Sequence, residues 1–273
     1  MKSLPIGFIG GGNMARSLVG GLIADGYAPE HIHVADPDAA HTNALHSDFG
    51  VLIAASNQSV VDHCAIVMFA VKPQIMQAVA TALVVPRGTQ RLYISIAAGI
   101  RSADLDRWLG GGQAIVRTMP NTPALVQSGA TALYANAQVS DTQRDTAESI
   151  LRAVGLTLWL EDEALMDAVT ALSGSGPAYF FLVMEALEAG GRQLGLPAET
   201  ARLLTLQTAF GAAKMALESA EDSATLRQRV TSPGGTTERA LDILRAGKLP
   251  ELFAKALGAA RDRAAELADQ LGK

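Results

Sequence analysis

Residues 6–22 read IGFIGGGNMARSLVGGL. A short apolar run ends in three consecutive glycines, and an apolar stripe at helical spacing follows directly. Within it Gly10, Gly12 and Ala15 stand in G-x-G-x-x-A spacing. Alone that pattern is weak, but between a strand and a helix it has a physical meaning. The glycines let the backbone turn tightly and approach a ligand, and Ala15 lets helix and strand pack closely. The first N–H groups of the helix have no partner within it, and its dipole favours an anion there. The stretch therefore predicts a pyrophosphate-binding turn, against the plainer alternative of a glycine-rich turn with no ligand.

Outward from this turn, strand and helix patterns alternate. Strands are expected at 6–9, 31–35, 65–71, 92–98, 114–119, 130–135 and 156–162. Helices are expected at 14–25, 38–49, 75–82 and 102–109, and Ser140 with Gln143 forms a capping-box pattern for a helix through Ala153. This alternation means βαβ units and a parallel sheet. Beyond residue 162 the pattern changes to helix upon helix: 163–172, 177–194, 197–218, 223–230, 236–246 and 249–271. The fold class is α/β, with an N-terminal Rossmann-type dinucleotide-binding domain over 1–162 and a C-terminal all-helical domain over 163–273. The helix at 197–218 carries Leu203, Leu204, Leu206, Phe210, Met215 and Leu217 on most sides. A helix apolar nearly all round must be buried nearly all round. Either it is the central helix of one chain, or a second chain covers it; the small helical domain favours a homodimer with intermingled helices.

Composition narrows the function classes. Hydrophobic residues are 49% and charged residues 18% of 273, enough for a packed core and against disorder. The net charge of −5 argues against nucleic acid as a partner. Cys64 is the only cysteine, which excludes an intrachain disulfide and fits a reducing, cytoplasmic setting. The apolar run at the start is too short for a signal peptide. The segment 168–184 is interrupted by Ser-Gly-Ser-Gly-Pro, so no membrane span is expected. No metal site is read. All five histidines lie at or before position 63, so chemistry needing a downstream imidazole is excluded.

Several strand ends converge on the crevice that such sheets use for ligands. Asp36 ends the second strand, where an acid accepts from the adenine ribose 2′-hydroxyl and favours NAD. Pro37, Asp38, Ala39 and Ala40 follow, with no arginine for a 2′-phosphate; Asp36-Pro37 also reads as a simple turn. AVKP (70–73), IAAG (96–99) and MPNTP (119–123) offer a smooth wall for a flat ring. Lys72 reads as a phosphate or ribose contact or as an exposed lysine, and Asn57 as a further ribose contact.

Taken together, IGFIGGGNM, AVKPQ, SIAAGI, VRTMPNTPA, SGSGPAYFFLVMEAL and VTSPGGTTERAL resemble the pyrroline-5-carboxylate reductase family across residues 6–260. The resemblance implies reduction of the cyclic imine 1-pyrroline-5-carboxylate to L-proline with NADPH or NADH, the cofactor being NADP or NAD. It implies a helical domain that interlocks two subunits, and further assembly to decamers built from dimers. It carries Gly10, Gly12, Asn13 and Met14 over as pyrophosphate-loop contacts. Asn57, Ala70, Val71, Lys72 and Pro73 carry over as the cofactor wall, and Ala97, Ala98 and Asn121 as neighbours of the nicotinamide. Ser232, Gly234, Gly235, Thr236 and Thr237 carry over as the substrate loop. Relatives often place serine or an Asn-Arg pair where this chain has Asp36 and Pro37, so NADH use stays open beside NADPH.

The chemistry suits these residues. A protonated imine needs no strong general acid, so the main task is to hold the ring against the cofactor. Thr237 is expected to hydrogen-bond the ring nitrogen, while Ser232 and the Gly235–Thr236 amides hold the carboxylate. The plainer reading makes Thr236 an N-cap and Pro-Gly-Gly a turn. SGSGPAYFF (173–181) reads as a tight turn and a Pro-started helix packed near the dimer seam and the nicotinamide. Related 3-hydroxyacid dehydrogenases carry a catalytic lysine four residues after a comparable glycine, where this chain has Phe180. The alternatives are a reductase of another cyclic imine, a small 3-hydroxyacid dehydrogenase, and a non-catalytic NAD(P) sensor.

Overall fold

A computed structural model describes residues 4–86, 88 and 91–273. Eight strands form one sheet: β1 Ile6–Ile9, β2 Ile32–Ala35, β3 Leu52–Ile53, β4 Ile66–Phe69, β5 Leu92–Ser95, β6 Ala114–Met119, β7 Gly129–Ala135 and β8 Gly155–Trp159. Their order is β3-β2-β1-β4-β5-β6-β7-β8. Strands β1 to β6 pair in parallel, and β1, β4 and β5 are buried throughout because helices cover both faces. The expectation of a parallel sheet is corrected at β7, which pairs antiparallel with β6 and parallel with β8. The link between β6 and β7 holds only the 3₁₀ turn Thr122–Val126, and a parallel return needs a longer crossover.

Helices α1 Asn13–Ala24, α2 Ala39–Phe49, α3 Asn57–His63, α4 Pro73–Thr81, α5 Ser102–Trp108 and α6 Asp141–Arg152 accompany the sheet. Leu18 and Leu22 of α1 and Ile150 and Leu151 of α6 pack with Phe8, Ile94 and Val116 in one core. Val60 of α3, Met76 of α4 and Leu105 of α5 pack with Ile9, Phe69 and Tyr93 in the other. The capping box is present at α6: Gln143 N donates to Ser140 Oγ, and Ser140 N to Gln143 Oε1 at 3.0 Å. The pair β3 and α3 went unread, since two exposed strand residues and a two-turn helix leave no periodic signal.

Residues 163–174 are not one regular helix. A 3₁₀ turn Glu163–Leu165 leads into α7 Met166–Val169 and then a π-helical turn Thr170–Gly174, closed by Ser175 N donating to Thr170 O at 2.8 Å. Arg117 of β6, almost wholly buried, pairs with Glu163 at 3.1 Å and Asp167 at 3.8 Å. Glu163 also accepts from Ser102 N and Ser102 Oγ, each at 2.7 Å.

The chain forms two compact units, Met1–Ser175 with Ala259–Lys273, and Gly176–Gly258. The first takes in residues 163–175 as well as the end of the chain. The Arg117 ion pairs hold 163–167 to it, and Arg101 with Asp269 and Gln77 with the Lys273 carbonyl hold the end of the chain. The second unit contains α8 Gly176–Gln193, α9 Ala198–Glu218, α10 Ser223–Arg229, α11 Thr236–Ala246 and the start of α12 Leu249–Leu271. Only Ala201 of α9 is buried, while Leu203 is 53% and Phe210 63% exposed. The reading of α9 as the central helix of a single chain is thus corrected: its apolar surface is left open, as a partner-covered helix requires.

Candidate active site

After β1 the chain builds outward to β2 and β3, then returns to place β4 on the other side of β1. The carboxyl ends of β1 and β4 form the switch point where such sheets bind ligands. Gly10 leaves β1 with φ of 103°, and a Cβ there would lie 2.6 Å from the Ala70 carbonyl oxygen. Gly10 N donates to Ala35 O and Ala70 N to Ile9 O, each at 2.8 Å, so the ends of β1, β2 and β4 are tied together. Gly12 caps α1 without any side-chain bond, and no acid stands in the first turn. A Cβ at Gly12 would meet nothing within 4 Å. That open space above uncapped amides, with exposed Asn13 and half-buried Met14 beside it, fits a pyrophosphate.

Asp36 turns inward. Its carboxylate accepts from Gly11 N at 2.7 Å and Asp38 N at 2.8 Å, and His41 Nδ1 lies 3.3 Å away. Burial pushes this carboxyl up, but the two amides and His41 outweigh it and hold it below the usual carboxylate range. Asp36 thus braces the glycine loop from the position expected to read the ribose. Asn57 heads α3, capped by Ser56 Oγ accepting from Ser59 N at 3.1 Å. Val71 leads to exposed Lys72, and Pro73 opens α4 at the position where its missing N–H costs nothing. Ala97 is buried and Ala98 half-buried beyond β5, and Ala97 N donates to Ser95 Oγ at 3.3 Å.

Asn121 follows β6 and acts as a bracket. Its Oδ1 accepts from Ala130 N at 2.9 Å, and its Nδ2 donates to Ser173 O at 3.3 Å and Ser173 Oγ at 3.2 Å. The π-helical turn is held close enough that a Cβ at Gly174 would run into Met119. The cofactor residues read from the sequence thus all follow strand ends at one edge of the sheet. Among the described residues, no group of three His, Cys, Asp or Glu is arranged to hold a metal.

The substrate loop belongs to the second unit and is described within it. Gly234 has φ of 72°. Its N–H donates to Glu238 Oε2 at 2.7 Å, and Gly235 N donates to Ser232 O at 3.0 Å. The expectation that the Gly235 amide holds a substrate carboxylate is corrected, because that N–H closes the turn. The N-cap of α11 is Gly235, not Thr236, and it carries no side-chain cap. Thr236 and Thr237 therefore head α11 with amides that have no partner in the helix, beside exposed hydroxyls. Four contributors were missed by sequence reading: Gly11, His41, Ser173 and Glu238. None stands in a spacing that signals a role; each acts through a contact that only the folded backbone makes.

Fold and site define a nicotinamide-nucleotide oxidoreductase, with a glycine-loop Rossmann half and a helical half. Residues 163–267 match the family described as pyrroline-5-carboxylate reductase dimerisation, and residues 5–99 that described as NADP oxidoreductase, coenzyme F420-dependent. A pyrroline-5-carboxylate reductase of Pseudomonas aeruginosa is 52% identical over 273 residues, covering 100% of both chains. A solved pyrroline-5-carboxylate reductase from Coxiella burnetii is 47% identical with a TM-score of 0.91, over 97% of this chain and 98% of that one. The Plasmodium falciparum pyrroline carboxylate reductase, solved with NADP bound, is 29% identical with a TM-score of 0.85, over 98% and 99%. This chain belongs to the pyrroline-5-carboxylate reductase family. It is an oxidoreductase with a dimerisation domain. Among the described residues, no helix is long and apolar enough to cross a membrane.

Proposed function

We propose that the chain reduces 1-pyrroline-5-carboxylate to L-proline using NADPH or NADH. The observation that carries this is a pair of glycine-started helices, α1 at Gly12 and α11 at Gly235, neither capped by a side chain. Each presents backbone N–H groups to an anion. The reaction has two anions to hold, the cofactor pyrophosphate and the substrate carboxylate. The nicotinamide cofactor supplies the hydride when bound. Gly10, Gly12, Asn13 and Met14 hold its pyrophosphate, and Ala70, Val71, Lys72, Pro73, Ala97 and Ala98 line its flat face. Asn57 and Asp36 serve the ribose end, and Asn121 fixes the wall beyond β6.

On the substrate side, the Thr236 and Thr237 amides with the Ser232 hydroxyl hold the carboxylate. The Thr237 hydroxyl bonds the ring nitrogen, and Gly234 and Gly235 shape the turn that presents these groups. The imine arrives protonated, so orientation rather than acid catalysis is what the protein adds. None of the residues assigned to the imine is a histidine, which suits that chemistry. The protein works as a homodimer through residues 163–273, and the dimers assemble further into decamers. A single cysteine supports a cytoplasmic setting.

Following oxidation of NADPH or NADH in the presence of the imine tests this reading. Steady turnover with at least one donor is expected, and no oxidation with either overturns it. Thr237→Ala is expected to lower kcat/KM for the imine by about 10- to 100-fold, the worth of a hydrogen bond to a charged group. Unchanged kinetics would remove Thr237 from the role.

A further inference from the structure

The β2–α2 turn carries a histidine to which the reaction assigns no role. His41 stands in the first turn of α2, with Nδ1 3.3 Å from Asp36 Oδ2 and Nε2 4.0 Å from Asp38 Oδ2. Its ring is 49% exposed, and its Cβ lies 3.2 Å from where a Cβ of Gly11 would be. The imidazole therefore sits over the glycine loop, beside the carboxylate placed to read the adenosine ribose. Arg16, the nearest arginine along the chain, is turned away to Asp48 and the face of Phe49. Two carboxylates and one imidazole thus face the ribose position.

A 2′-phosphate there brings nearly two negative charges against Asp36 and Asp38. It needs a donor, and since Nδ1 faces Asp36, the exposed Nε2 of His41 is the nitrogen that can offer one, which it does as the imidazolium. Asp36 is committed to the Gly11 and Asp38 amides and cannot turn away without loosening the loop. Asp38 caps α2 through Ala40 N at 2.9 Å, so it too is fixed in place.

Resting on the dinucleotide reading above, we propose that His41 is the residue that accepts the 2′-phosphate of NADPH, and that with Asp36 and Asp38 opposing it, this cluster sets the choice between NADPH and NADH.

The test is binding without imine, so it does not depend on turnover. NADPH and NADH are titrated by nicotinamide fluorescence, and adenosine 2′,5′-bisphosphate and 5′-AMP by calorimetry. For His41→Ala, the expected result is about tenfold weaker binding of the two 2′-phosphorylated ligands, as for a lost charge-assisted hydrogen bond. NADH and 5′-AMP should stay within about twofold, as expected for ligands that lack the lost partner. Asp38→Asn keeps the helix cap and removes a charge, and is expected to tighten the 2′-phosphorylated ligands about threefold by relief of a partly screened repulsion. Equal effects of His41→Ala on both ligand classes, or no effect on either, would overturn the proposal. Failure of the unmodified protein to bind any of the four would instead overturn the dinucleotide reading beneath it.

Discussion

Gly10 and Gly12 belong to one motif but do different work. At Gly10 the backbone is left-handed and a side chain would strike Ala70, so Gly10→Ala should cost about 2–4 kcal/mol of stability. Urea unfolding would measure this, and a loss under about 0.5 kcal/mol would show that the loop gives way freely. At Gly12 the backbone already suits alanine and the space is open, so Gly12→Ala should keep its melting temperature yet lose nucleotide affinity. A variant that unfolds early, or binds nucleotide normally, contradicts that assignment. Asp36 adds a pH signature. Its carboxyl is lowered on folding, so its contribution is present above the unfolded value near 4 and lost as pH falls through the lower folded value. The Gly11 amide resonance should therefore report loss of the Asp36 charge by moving below about pH 4. Cys64 is buried and its thiol is pushed up to about 11, so it should resist alkylation at neutral pH until the protein unfolds.

At the scale of elements, what was legible depended on signals local to the chain. The glycine turn, the capping box at Ser140 and the Pro-started helices each carry their cue within four residues. The strand β3 and helix α3 are too short for periodicity to register. The direction of β7 depends on the length of the preceding link, and the π-helical turn on contacts with Met119 and Asn121. The site divides in the same way. Gly10, Gly12 and the strand ends were readable from spacing, whereas His41 and Glu238 act through neighbours set by backbone geometry. Arg117 is a further element-scale case, since its partners Glu163 and Asp167 lie far along the chain. Arg117→Ala removes the cation from half-buried Asp167 and leaves Glu163 only its two Ser102 hydrogen bonds, and should destabilise by about 3 kcal/mol. Calorimetry showing an unchanged transition would mean that water solvates the carboxylates well.

For the whole molecule, the open surface of α9 and the dimerisation match make association part of the fold. Phe210, 63% exposed in the single chain, is a direct probe. Phe210→Glu would bury a charge at a subunit seam and should shift the protein toward monomer in light scattering. A variant with the parent's mass at micromolar concentration would place the seam elsewhere.

The central claim is that two glycine-started helices hold two anions, one of the cofactor and one of the substrate. It is tested most directly by comparing 1-pyrroline-5-carboxylate with 1-pyrroline, which has the ring but no carboxylate, under a saturating reduced nucleotide. The account predicts proline formed in step with nucleotide oxidation, and a kcat/KM for 1-pyrroline lower by about 10- to 100-fold. No turnover of the carboxylated imine, or equal kcat/KM for the two rings, would contradict it.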